Sequence, residues 1–125
     1  MFAVKLDQSS STLTISYGGL VTRDETRLCA EEVQLASTIL DPGFRLVVDL
    51  TELQLMEAAC SPLIASIMEI CNAAGVTEVV RIIPDPTRDI GLQILSFFHY
   101  DKDVWIRTCG TSAEAREMLH PHPQR

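Results

Sequence analysis

Two short, nearly unbroken apolar runs, Arg45–Leu50 (RLVVDL) and Glu78–Ile83 (EVVRII), constrain the fold most. A strand that is apolar on both sides needs cover on both faces, the situation of parallel strands enclosed by helices. Segments of helical period separate these runs. One opens at Thr22, where Thr22-Arg-Asp-Glu25 forms a capping box, and it carries Leu28, Cys29, Val33, Ala36 and Leu40 on one face until Asp41-Pro42-Gly43 stops it. A second starts at Ser61-Pro62, read as an N-cap followed by proline at the first helical position. Ile64, Ile67, Met68, Cys71 and Ala74 form its apolar face, and Gly75 closes it.

A third helix is expected over Thr87–Phe98, with Ile90, Ile94, Phe97 and Phe98 inward and Gly91 as its weak point. The strand Val104–Thr108 (VWIRT) follows, and Thr111-Ser-Ala-Glu114 is a second capping box, opening a helix that ends near Leu119. At the amino end, Phe2–Asp7 and Ser11–Tyr17 alternate as an antiparallel hairpin that Gly18-Gly19 terminates. The order is ββαβαβαβα. It specifies an α/β sandwich: a mixed, mostly parallel sheet with an N-terminal β-hairpin and about four helices. With 125 residues the chain makes one domain, 1–119, followed by a disordered Pro/His tail at 120–125.

Charge narrows the function classes. Against 17 acids stand 10 bases, a net charge of −7, which gives no counterion-release drive toward nucleic acid and repels anionic membrane. The imbalance sits in the first half: Met1–Cys60 holds 9 acids and 4 bases, Ser61–Arg125 holds 8 and 6. An acidic first half is mostly solvated surface and is also suited to a basic partner. Lys5 and Asp7 interrupt the apolar start that a signal peptide needs, and no run reaches the ~18 apolar residues of a membrane span. Cys29, Cys60, Cys71 and Cys109 form no C-x-x-C pair and read as reduced core thiols of a cytoplasmic protein. His120 and His122 sit in the tail, so no metal site and no cofactor are expected.

Catalytic patterns are missing from the sequence. Gly18-Gly19 lacks phosphate-loop spacing, and no G-x-S-x-G elbow occurs. A Ser-His-Asp catalyst would need His99 as its base, and His99 reads instead as a helix-end histidine near carbonyl dipoles. The segment of interest is Asp49–Pro62 (DLTELQLMEAACSP), which joins a buried strand to a helix. Binding sites collect at such carboxyl ends of parallel strands. Glu57 is expected to meet the positive end of the helix that follows. Cys60 is either an activated thiolate beside that helix or, the preferred reading, a small residue filling a tight turn.

That segment carries a resemblance. The chain resembles a STAS domain, the module of bacterial anti-sigma-factor antagonists and of sulfate-transporter cytoplasmic tails. The likeness spans nearly the whole chain: the hairpin, Gly19 ahead of the first helix, the strand Leu46–Leu50, the helix from Ser61 to Gly75 and the closing Thr-Ser-Ala-Glu-Ala start. Family members carry D-L-S-x-V-x-F-L-D-S-S-G-L-G, and this chain has D-L-T-E-L-Q-L-M-E-A-A-C-S-P. Asp49, Leu50, Thr51, Leu53, Leu55 and Met56 fit, and Glu57 takes the aspartate position.

The family's switch is phosphorylation of a serine in D-S-S-G by a kinase-type anti-sigma factor. Ala58 and Ala59 stand at both serine positions and Cys60 and Pro62 at the glycines, so that switch has no hydroxyl to act on. Ser61 is the nearest candidate phosphoacceptor apart from Thr51, although helix capping accounts for it.

The resemblance implies a non-catalytic regulatory module that binds a protein, such as an anti-sigma factor or related kinase-fold regulator. The expected partner-binding residues are Glu57, Ala58, Ala59, Cys60 and Ser61, with Glu69 and Asn72 on the exposed side of the adjoining helix. Glu57 and Glu52 act either as bystanders of a permanently unphosphorylated state or as a weak fixed imitation of phosphate. Two other functions remain open at this point. One is a small-molecule or lipid-handling component of a transport complex, with a cavity near Phe97, Phe98 and Trp105. The other is a redox sensor at Cys60. Homodimerisation is also open.

Overall fold

The computed structural model describes residues 1–85 and 99–119. Its sheet has five strands in sequential order: β1 (Phe2–Asp7), β2 (Thr12–Val21), β3 (Arg45–Met56), β4 (Glu78–Ile82) and β5 (Trp105–Cys109). β1 runs antiparallel to β2, and each later pair is parallel. Helices α1 (Arg23–Ser37), α2 (Ser61–Ala74) and α3 (Ser112–Leu119) connect or follow the strands. The helix expected over Thr87–Phe98 and the tail at 120–125 lie outside the described residues.

The alternating faces of the two apolar runs now have their partners. Leu46 and Val79 join Leu13 and Ile15 in the core beneath α1 and α2. Their neighbours Val47 and Val80 point to the opposite face, where they pack with Ile82, Cys109 and Ala115 of α3. Crossovers of one hand put successive helices on one face of a parallel sheet, and among the described residues the helix after the last strand covers the other. α3 is fixed there at its carboxyl end. Arg107 donates to the Met118 carbonyl at 2.9 Å, and Arg45 donates to the Leu119 carbonyl. Cations at this position satisfy carbonyls that have no intrahelical donor.

The first helix ends at Ser37, short of Leu40, and two strands run several residues past their expected ends. β2 does not end at Gly18-Gly19 but runs to Val21, and β3 does not end at Leu50 but runs to Met56. The two extensions pair with each other, Leu20 opposite Leu55 and Val21 opposite Met56. Gly18 and Gly19 sit at register shifts in this ladder, and Gly19 takes φ +62°, so the glycines make a bulge rather than a stop. Strand β4 pairs only with Arg45–Asp49 of β3, and β1 reaches only Tyr17 of β2. The result is a two-stranded ribbon projecting past the carboxyl edge of the sheet. Val21, Leu53 and Met56 of the ribbon pack against the core while Leu20 and Leu55 are exposed. A ribbon covered on one face alone needs no continuous apolar run, which is why Thr51–Met56 reads as linker in the sequence.

Candidate functional site: the turn between β3 and α2

The ribbon delivers the chain to Glu57, in extended conformation, then to a 3-10 turn over Ala58–Cys60 that runs directly into α2. The capping expected of Ser61 is not found. The cap position of α2 is Cys60, which is already helical in its backbone and makes no side-chain cap bond, and Ser61 lies inside the first turn. The preceding 3-10 turn has absorbed the entry: the Ser61 amide bonds the Ala58 carbonyl, so no hydroxyl is needed there. Pro62 in the first turn brings a φ already fixed for the helix.

Glu57 meets a helix end, but not the one expected. Its Oε1 accepts the Arg23 amide at 2.8 Å, at the start of α1 rather than of α2. Its own amide donates to the Val21 carbonyl at 3.1 Å, which anchors the turn to the end of β2. The start of α1 is therefore closed by three side chains. The Glu25 amide donates to Thr22 Oγ1 at 3.2 Å, the Thr22 amide donates to Glu25 Oε1 at 3.1 Å, and Glu57 takes the Arg23 amide. The Met1 ammonium lies 2.8 Å from Glu25 Oε2 and, ahead of the Thr22 bonds, holds that carboxyl below its ordinary range. Replacing Glu57 with alanine is expected to cost about 0.5–2 kcal/mol by orphaning the Arg23 amide, measured as a shift in the urea midpoint at unchanged m value.

Cys60 lies beneath the turn and is fully buried. Its thiol donates to the Val21 carbonyl at 3.7 Å, and the Thr26 hydroxyl, which donates to the Thr22 carbonyl at 2.9 Å, lies 3.1 Å from its Sγ. Cys60 cannot present its side chain to a partner or an oxidant, which removes it from the expected binding face. Its thiol ties the turn to β2 and α1 instead. All four thiols are free and buried.

Glu57, Ala58, Ala59 and Ser61 are exposed. On the ribbon that leads into the turn are two residues the sequence reading missed. Leu20 is 51% exposed and Leu55 62%, and they face each other across the ribbon. Their only sequence signal is apolar alternation in Thr51–Met56, weak on its own. Glu69 and Asn72, expected on a free helix face, are occupied. Glu69 Oε2 lies 2.7 Å from His99 Nδ1, and Asn72 Oδ1 accepts the Asp101 amide at 2.8 Å, so both hold the chain that enters β5.

The cavity expected near Phe97, Phe98 and Trp105 takes a different form. Phe97 and Phe98 lie outside the described residues, and Trp105 is 56% exposed with the Arg107 guanidinium 4.1 Å from its ring centre. A cavity of about 30 Å³ lies between sheet and helices, bordered by Tyr17, Leu50, Met68 and Tyr100, among others. That is the room of a single water molecule. Among the described residues no cluster of three metal-ligating side chains occurs, and no helix is long and apolar enough to cross a membrane.

The arrangement of sheet and helices matches known structures over nearly its full length. SpoIIAA, an anti-sigma factor antagonist, superposes in its unphosphorylated form with a TM-score of 0.67 at 16% identity, covering 98% of this chain and 100% of that one. The phosphorylated SpoIIAA of Bacillus, a cell fate determinant, gives 0.68 at 16%, with 96% and 100% covered. An uncharacterised DUF3478-family protein of Shewanella loihica with a SpoIIAA-like fold gives 0.73 at 14%, with 94% and 93% covered. The fold is SpoIIAA-like. No family model matches the sequence, and no curated protein matches it. In this SpoIIAA-like, STAS-like framework the strand-to-helix turn follows the third of five strands. The sequence register that set Ala58 and Ala59 against the family's serines puts them on its exposed part.

Proposed function

We propose that this chain is a non-catalytic regulatory module that binds a protein partner through Glu57, Ala58, Ala59 and Ser61, together with Leu20 and Leu55 of the ribbon. The observation that carries the reading is the exposed, hydroxyl-free alanine pair in the turn, which the ribbon with its exposed Leu20–Leu55 pair leads into. Exposed apolar side chains among polar ones are the usual material of a protein interface. The partner class is an anti-sigma factor, drawn from the description of SpoIIAA as an anti-sigma factor antagonist, and its kinase-type fold is what the family resemblance implies.

The turn corresponds to a permanently unphosphorylated state. Glu57 offers the one charge within the turn, and that charge is spent on the Arg23 amide rather than held out to a partner. A carboxylate at a helix amino end is largely compensated by the dipole, so it imitates a phosphate poorly. The buried Cys60 leaves a redox sensor without an accessible thiol, and among the described residues the cavity between sheet and helices, about 30 Å³, has no room for a lipid.

The test is a pull-down from the protein's native cytosol with the wild-type chain and with Ala59→Asp, followed by titration of the recovered partner. Ala59→Asp is expected to weaken the complex about tenfold or more, because a carboxylate would enter a desolvated contact. Equal affinity would move the interface elsewhere. Mass spectrometry of the chain recovered from cells is expected to show no phosphate within residues 57–60. A stoichiometric phosphate on Ser61 would replace the constitutive reading with a shifted switch.

A further inference from the structure

Helix α1 turns Thr26, Cys29, Val33 and Ala36 into the core, yet three large apolar residues remain outside. Leu28 is 49% exposed, Leu35 68%, and Ile39, in the closing turn, 54%. With Glu32 they are spaced four, three and four residues apart, the interval of a coiled-coil seam. At 100° per residue these four positions fall within an arc of about 60°, roughly 100° from the buried stripe. The other flank of α1 is accounted for: Gln34, Ser37 and Thr38 border the groove toward α2. The seam therefore faces away from α2, on the side of the edge strand β1, against which α1 packs.

Charge specifies what fits there. Glu32 lies within the seam, and Asp24 and Glu31 border it. The helix's bases, Arg23 and Arg27, lie toward the opposite flank, where Arg27 approaches Asp24 at 3.9 Å. The Met1 ammonium is held by Glu25 and the Gly18 carbonyl. Glu31 and Glu32 make no ion pair among the described residues.

We propose that this flank docks a basic amphipathic helix of a partner protein. Its apolar residues would meet Leu28, Leu35 and Ile39, and a lysine or arginine would meet Glu32. A second copy of this chain fits badly. Parallel pairing stacks Glu32 on Glu32, and antiparallel pairing sets two Glu32 carboxylates about one turn apart among leucines. The acidic first half of the chain, otherwise only solvated surface, acquires a use here. The seam runs away from the Glu57 contact at the start of α1 and stands whether or not that turn binds.

The probe is a synthetic three-heptad helix with leucine along its seam and lysine flanking it, and a counterpart carrying glutamate instead of lysine. Each is titrated into the full chain by fluorescence anisotropy. The lysine peptide is expected to saturate, and Leu35→Asp is expected to weaken it about tenfold or more. Leu35→Asp adds an acid, so mere charge attraction would strengthen binding instead. Glu32→Lys is expected to weaken the lysine peptide and admit the glutamate peptide. Circular dichroism checks the fold of each variant, with Leu35→Ser as the alternative where Leu35→Asp is unfolded. The proposal is overturned by equal binding to wild type and the Leu35 variant, by equal affinity for the two peptides, or by no saturation below about 1 mM. A dimer in sedimentation that the Leu35 variant dissociates overturns it in favour of a second copy.

Discussion

Replacing Gly75 with alanine is expected to destabilise the fold by about 2–5 kcal/mol, a large share of the ~5–15 kcal/mol typical of a domain. Gly75 ends α2 with φ +99°, where its amide donates to the Asn72 carbonyl at 3.1 Å and the next amide, that of Val76, donates to Cys71 at 3.1 Å. Two costs combine. An L-residue in the left-handed region costs roughly 1–2 kcal/mol. The added Cβ would also lie 2.8 Å from Pro42 Cβ and 2.9 Å from Pro42 Cα, and a backbone atom of proline cannot rotate aside. The Gly43 amide bonds the Gly75 carbonyl at 2.8 Å, so any retreat breaks the contact that seats α2 beside the end of α1. Gly43→Ala is the control. Gly43 has φ +97° but open space around its missing Cβ, so it is expected to lose only the conformational ~1–2 kcal/mol. Gly75→Asn, tolerant of positive φ but still carrying Cβ, should fall near Gly75→Ala. Urea midpoints of the three variants check this ordering. Equal midpoints for Gly43→Ala and Gly75→Ala would show that Pro42 imposes no limit.

Raising the pH from about 9 to about 11 is expected to unfold the protein steeply. Burial pushes the Cys29 thiol up to about 11, against a lowering from its bond to Tyr17, and pushes Cys71 up to about 12. Burial likewise raises Tyr17 and Tyr100 well above the ordinary phenol range. In the unfolded chain thiols ionise near pH 8.5. Above that pH the unfolded state has lost protons that the native state keeps, so stability falls as pH rises. The stabilisation is complete below the unfolded pKa and lost on the way to the folded one. Each thiol contributes a slope of about 1.4 kcal/mol per pH unit between its two pKa values. Together they give a loss of about 3 kcal/mol between roughly pH 9.5 and 10.5, and the tyrosines add to it above about pH 10. Equilibrium denaturation at stepped pH reads this slope, and Cys71→Ala should reduce it by about half below pH 10. A flat profile to pH 11 would mean that both thiols ionise without leaving the core.

Elements whose causes lie within a few residues are legible in the chain before it folds. The Thr22–Glu25 capping box is legible because its two bonds span three positions, and both are formed. Leu46-Val47 and Val79-Val80 announced a sheet covered on both faces, because a pleated strand must send neighbours to opposite sides. The replacement of both serines by Ala58 and Ala59 was equally plain, since it concerns chemical groups and not geometry. Features that depend on distant partners are settled by packing. Glu57 serves α1 and not α2 because the Arg23 amide, 34 residues earlier, is the open donor within its reach. Cys60 is buried because β2 runs past its two glycines and, with α1, closes over the thiol. The exposed Leu20 and Leu55, and the outward seam of α1, follow from which faces the sheet had already filled. Local hydrogen bonds and periodicity select the elements; long-range packing assigns each face to the core, a neighbour or solvent.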